Sequence, residues 1–215
     1  EEALDDVLRE RVGRRFRHNE HSLRIVDRLE RDGKGLNLTE EVRDGILNHT
    51  GPHKPRTLEG RIVRLVDRVA YINHDIDDAI RAGVISESDL PAREIELLGT
   101  TGSQRIDTLV HDIVRSSREA GDIVQSEEVG GAMLRLRKFM FDRVYLGAEA
   151  RGQRERIRDI VRWLLHYYLE HPEQVPPSLP DAEPIQLAVD YIAGMTDRFC
   201  IRTFRRLALP EESRL

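Results

Sequence analysis

Residues 61–80 read RIVRLVDRVAYINHDIDDAI. Ile62, Leu65, Val66, Val69, Ala70 and Ile72 recur at helical spacing with no Pro or Gly between them. The stretch is therefore expected to form one amphipathic helix. Asp67, Tyr71, Asp75 and Asp78 follow at steps of four, four and three, a spacing that stacks them along one face. Carboxylates so placed repel one another, and a helix gains nothing by aligning them unless something else is bound. A cation, or a substrate that brings one, would resolve the conflict. On spacing alone, a solvated acidic stripe edged by Tyr71 is the plainer reading.

Helical patterns continue on both sides of this stretch. Upstream, Thr39 precedes Glu40, Glu41 and Val42 as an expected N-cap, and the helix EEVRDGILNHT is expected to stop at Gly51, reinforced by Pro52 and Pro55. His49 and His53 have a ligand-like spacing, but Gly51 and Pro52 between them prevent a shared helix face. Downstream, Gly83 is a stop and Ser86 caps a short acidic helix. Ile106, Leu109, Val110, Ile113 and Val114 mark a further helix. Residues 117–133, SREAGDIVQSEEVGGAM, read as a polar loop, and Gly130-Gly131 lacks the Lys and spacing of a phosphate-binding loop. Residues 154–172 read as a long helix carrying Ile157, Ile160, Val161, Leu164, Leu165 and Tyr168 on one face. A Pro-rich connector at 173–184 leads to one final helix over 185–204, and the tail at 208–215 is expected to fray. With no repeat and no alternating strand pattern, the fold class is all-α, a bundle of roughly eight to ten helices.

Composition narrows the function. The net charge is −5 and the two signs are interleaved, which argues against nucleic acid as the main partner. No apolar run approaches a membrane span, WLLHYYL being the densest, and nothing resembles a signal peptide. The single Cys200 cannot pair within the chain and fits a reducing, cytoplasmic setting. Lys34, Lys54 and Lys138 are the only lysines, so the basic residues are nearly all Arg, a residue suited to bidentate carboxylate and phosphate contacts.

Several motifs resemble those of the HD-domain deoxynucleoside triphosphate triphosphohydrolases, the dGTPase family. LVDRVAYINHDIDDAI is similar to that family's last metal-ligand helix, with Asp67, Arg68, Tyr71 and Asp75 in the matching places. Phe16, His18, Asn19, Ser22, Leu23 and Arg24 match a Phe-x-His-Asn-x-Gln-Ser-Leu-Arg pattern, His21 standing where Gln is usual. Glu1, Ala3 and Leu4 match the end of Gly-His-x-Gly-Glu-x-Ala-Leu. LRLRKFMFDRVYLG (134–147) and DYIAGMTDR (190–198) resemble later family segments.

The resemblance implies an HD-domain-like helical bundle with additional C-terminal helices. Residues 1–90 would be the C-terminal part of an HD-type catalytic core, and 91–215 a helical region packed on it. The implied activity is metal-dependent hydrolysis of a dGTP-type dNTP to deoxynucleoside and inorganic triphosphate. Asp67 would ligate a divalent metal (Mg2+ or Mn2+), and Glu1 and His18 would serve the proton chemistry. Arg68 would face the triphosphate, while Tyr71 and Asp75 would contact the sugar and phosphate end. Arg137, Lys138 and Arg143 are further phosphate candidates, with surface ion pairing the plainer reading of each.

The upstream His and His-Asp ligands of the family have no match here; the His-Asp pairs present begin at His74 and His111. The chain is expected to be the larger C-terminal part of a longer protein, incomplete for catalysis by itself, and a homo-oligomer. A catalytically inactive oligomerisation or nucleotide-sensing domain is the alternative. A cyclic-nucleotide or ppGpp hydrolase is a third reading, disfavoured by Tyr71, Asp75 and the DYIAGMTDR run.

Overall fold

The computed structural model describes residues 1–176 and 182–209, without the side chains of 148–151. Among the described residues every regular element is helical, so the protein is all-α as expected. In chain order, α1 (Glu2–Val12), α2 (His18–Arg24), the single turn α3 (Glu30–Gly33) and α4 (Glu40–Asn48) lead to the long α5 (Leu58–Arg81). There follow α6 (Ala92–Leu98), α7 (Gly102–Ala120), α8 (Glu127–Met140), α9 (Ala148–Glu170), α10 (Pro184–Ala193) and α11 (Asp197–Ala208). Among the described residues no helix is long and apolar enough to cross a membrane.

Internal contacts group these elements into two compact units, one formed by Glu1–Leu38 with Gly152–Leu215, the other by Thr39–Arg151. Each has its own apolar core. In the second unit, Val69, Ile72 and Ile76 of α5 pack with Leu109 and Ile113 of α7 and with Met133, Leu136 and Met140 of α8. In the first, Leu4, Val7 and Leu8 of α1 pack with Leu164, Leu165 and Tyr168 of α9 and with Ala188, Val189 and Ile192 of α10. These units cut the chain at 38 and 151. The boundary near 90 concerns where an HD-type core ends, and it stands as a proposal about the family's layout.

The central helix is longer than its apolar pattern. Thr57 accepts a hydrogen bond from the Gly60 N–H at 3.1 Å, so α5 starts three residues before Arg61. Gly60 also lets α4 and α5 approach closely, since a Cβ there would lie 3.4 Å from the Gly45 Cα of α4 and 2.6 Å from the Cβ of Pro55 in the intervening loop. Arg64 then fastens the intervening loop to α5. Its guanidinium donates to the carbonyls of Asn48, Thr50, Gly51 and His53.

Two expectations are corrected. The loop read over 117–133 shrinks to a short connection, because Ser126 caps α8 by accepting from the Val129 N–H, and Gly130 and Gly131 lie inside that helix. Burial of Ala132 and Met133 offsets the helix penalty of the two glycines. The single helix read over 185–204 breaks at Gly194, and Thr196 begins α11 by accepting from the Phe199 N–H at 3.3 Å. Much of the Pro-rich connector (177–181) and the end of the tail (210–215) lie outside the described residues.

Candidate functional site

In the second unit the candidate residues lie along α5. Asp67 is partly buried and has no hydrogen bond or ion pair among the described residues. Tyr71, one turn on, is 63% exposed, unusual for an aromatic on a core helix. Asp75 accepts a hydrogen bond from the Tyr145 hydroxyl. Burial pushes the Asp75 carboxyl above the usual range, Asp78 adds to the rise and His74 opposes it. Asp78 itself pairs with Arg81 on the surface, while its charge still reaches Asp75. The acidic stripe is thus three different environments rather than one solvated face.

Tyr145 reaches Asp75 because α8 changes pitch. Over Phe141–Tyr145 the backbone makes a π-helical turn, a form found often at functional positions. The wider turn leaves Phe141 53% exposed, with its ring centroid 6.1 Å from that of Tyr145. Neither aromatic emerged as a site residue from sequence, although both lie in the family-like segment 134–147. The signal was there as an aromatic pair at four-residue spacing.

Arg68 is half-buried, and its guanidinium is held below the ordinary arginine value. Burial is the main cause, followed by the positive charges of Arg64 and Arg137, against which Asp67 acts in the opposite sense. Arg137 of α8 therefore lies within electrostatic range of α5, whereas Lys138 pairs with Asp142. Arg64 is spent on the loop carbonyls, which leaves Arg68 and Arg137 as the guanidiniums of α5 and α8 that favour an incoming anion.

In the first unit, Glu1 and His18 meet directly. The Glu1 carboxylate accepts from the His18 backbone N–H at 3.2 Å and lies 2.8 Å from its ring Nδ1. An ionised carboxylate only accepts, so the proton of that contact belongs to Nδ1. One turn along α1, Asp5 accepts from the Phe16 N–H and from Arg15. Those bonds, Arg15 first, hold the Asp5 carboxyl below its usual range. Two carboxylates one helical turn apart thus template the backbone that delivers His18 to the start of α2.

His21 does not face the same surroundings. Its ring is buried against Phe16, its Nδ1 is 3.8 Å from Asp190, and its Nε2 has no hydrogen-bond partner among the described residues. Burial pushes this imidazole below its ordinary value, with Asp190 opposing and Arg24 reinforcing.

A divalent metal fits these residues only in part. Among the described residues no group of three or more His, Cys, Asp or Glu side chains is placed to hold one. Asp67 offers a single carboxylate, so the described part of the chain does not make a metal site by itself.

Comparison with known proteins accords with this picture. Residues 123–206 match the phosphohydrolase-associated domain. The chain is 42% identical over 220 residues to a deoxyguanosinetriphosphate triphosphohydrolase-like protein of Clostridium perfringens, spanning 96% of this chain and 64% of that protein. It is 42% identical to the like-named protein of Caldanaerobacter subterraneus, spanning 96% and 62%. To that of Ralstonia nicotianae it is 32% identical, spanning 96% and 67%. The chain therefore covers a little under two thirds of the first two relatives. An all-α chain that shares this identity over nearly its whole length belongs to the deoxyguanosinetriphosphate triphosphohydrolase-like family.

Proposed function

We propose that the full-length protein hydrolyses a deoxynucleoside triphosphate of the dGTP type, releasing deoxynucleoside and inorganic triphosphate. The observation that carries this reading is the 42% identity to two deoxyguanosinetriphosphate triphosphohydrolase-like proteins over 96% of this chain, and the arginines of α5 and α8 fit it. Arg68 is partly desolvated and crowded by Arg64 and Arg137, an arrangement that a polyanion relieves. Beside it on α5 are the groups suited to a nucleoside: exposed Tyr71 for an apolar ring face and Asp75 as a hydrogen-bond acceptor for a sugar hydroxyl.

In this reading Arg68 neutralises triphosphate charge, and Tyr71 and Asp75 orient the sugar. Tyr145 holds Asp75 in place through its hydroxyl. Glu1 and His18 form the acid–base pair, with the carboxylate fixing the ring and the imidazole moving a proton at the scissile end. Asp67 is the residue assigned to metal, the remaining ligands belonging to the part of the family length that this chain does not span. A cytoplasmic homo-oligomer completes the proposal, and the interleaved charges favour free dNTP over nucleic acid as what it acts on.

Steady-state kinetics of the full-length protein test the substrate assignment. Asp75→Asn and Tyr71→Ala are each expected to raise KM for the preferred dNTP about tenfold, as loss of one well-placed contact does. They should also narrow the preference for deoxy- over ribonucleotide. Unchanged KM and unchanged sugar preference in both variants would overturn the assignment.

A further inference from the structure

The short helix that carries His18 has little to hold it of its own making. α2 has seven residues, no side-chain N-cap at Arg17, and gives way at once to a π-helical turn over Ile25–Leu29. Beyond that turn Arg31 and Asp32 take positive φ, so the helical path ends there. Helices this short are marginal in water and depend on tertiary ties. At its N-terminal end the tie is Glu1, whose carboxylate accepts from the His18 N–H in place of a cap.

At the other end the tie is Arg24. Its guanidinium forks onto Asp190 of α10, Nε donating to Oδ1 at 2.9 Å and one terminal nitrogen to Oδ2 at 2.7 Å. Gln186, one turn earlier on α10, donates to Oδ1 at 2.8 Å. The Asp190 side chain is only 2% exposed, so the carboxylate depends on these donors for its compensation. A bidentate fork fixes direction as well as distance, which a single ion pair does not. His21 lies beside the fork but contributes no hydrogen bond to it, at 3.8 Å from Asp190.

We propose that Arg24 and Asp190 are a positioning pair, clamping α2 onto α10 so that His18 at the helix start keeps its ring on Glu1. Neither residue touches the reacting groups. The pair acts through the helix, and its importance for turnover rests on the role given to His18 above. Through this pair the DYIAGMTDR segment, which begins with Asp190, is tied to the chemistry as well as to the core.

The test uses full-length protein with 15N-labelled histidine, the His18 ring signals being assigned by their loss in His18→Gln. Wild-type His18 is expected in a single tautomer with the proton on Nδ1. In Asp190→Asn, which keeps the side-chain shape, those signals should move toward the averaged pattern of an unrestrained imidazole. kcat should fall about 10- to 100-fold, as misplacement of a catalytic group by an ångström does, with KM little changed. If Asp190→Asn fails to fold, Arg24→Gln makes the same test while leaving Asp190 the Gln186 amide. A folded variant with unmoved His18 signals and unchanged kcat overturns the proposal. Moved signals in a protein that never hydrolyses dNTP uphold the clamp and count against the proposed activity instead.

Discussion

A buried imidazole whose Nε2 has no partner is a costly choice where the family pattern has Gln, and it gives this chain a pH-dependent weak point. His21 is held below its ordinary value by burial, so the folded state binds a proton less readily than the unfolded chain, whose imidazole titrates near ~6.5. The stability it contributes is fully present above that value and is lost as pH falls through the lower folded value. Thermal unfolding should therefore show a Tm that declines below about pH 6.5, and His21→Gln should flatten that part of the profile. An unaltered acid profile in His21→Gln would show that another group governs it. Arg105 is a buried residue that sequence reading missed, as it missed Phe141 and Tyr145. It is 2% exposed and bonds Asn73, the Thr100 carbonyl and Asp77, yet an arginine on an amphipathic helix reads as surface because its side-chain partners, Asn73 and Asp77, lie 32 and 28 residues away in sequence. Arg105→Met, which leaves the buried Asn73 oxygen without that donor, is expected to cost about 1–3 kcal/mol in chemical denaturation. Glu1 and His18 were singled out for the opposite reason, since each lies in a short local motif that needs no distant partner to be noticed, and the structure brings the two side chains to 2.8 Å.

Elements were read well where apolar spacing decides them and poorly where caps compete with it. α5 follows from six apolar residues and the absence of breakers, and its extra first turn comes from Thr57, a cap lying just outside the pattern. The break at Gly194 and the continuity through Gly130-Gly131 were misread together, because glycine alone does not say whether a helix stops. Thr196 supplies a new N-terminus after the first, whereas buried Ala132 and Met133 carry the helix past the second pair. Thr196→Ala is accordingly expected to lower stability by about 1 kcal/mol, the usual worth of an N-cap, with Asn there restoring most of it. Gly60→Ala should be worse, about 1–3 kcal/mol, since the new methyl meets the loop's Pro55 ring carbon and crowds Gly45 of α4. A Gly60→Ala protein as stable as wild type would mean the α4–α5 approach has room to relax.

At the scale of the whole molecule, the all-α class and the family were both accessible from sequence, the first through periodicity and the second through motifs spread from Glu1 to Arg198. The grouping of 1–38 with 152–215 was not, because nothing local in α1 announces that its core partners are α9 and α10. The chain brings one candidate metal ligand, a crowded cation cluster and a Glu–His pair to a family whose full length it spans in part. Together these parts are proposed to serve hydrolysis at the α-phosphorus. The most direct measurement is product analysis of full-length protein incubated with each dNTP and Mn2+ or Mg2+, for wild type and Asp67→Ala. Deoxynucleoside and intact triphosphate in equal amounts, with the rate reduced at least about 100-fold by Asp67→Ala, is the predicted result. Release of monophosphate or pyrophosphate, or a rate indifferent to Asp67, would contradict it.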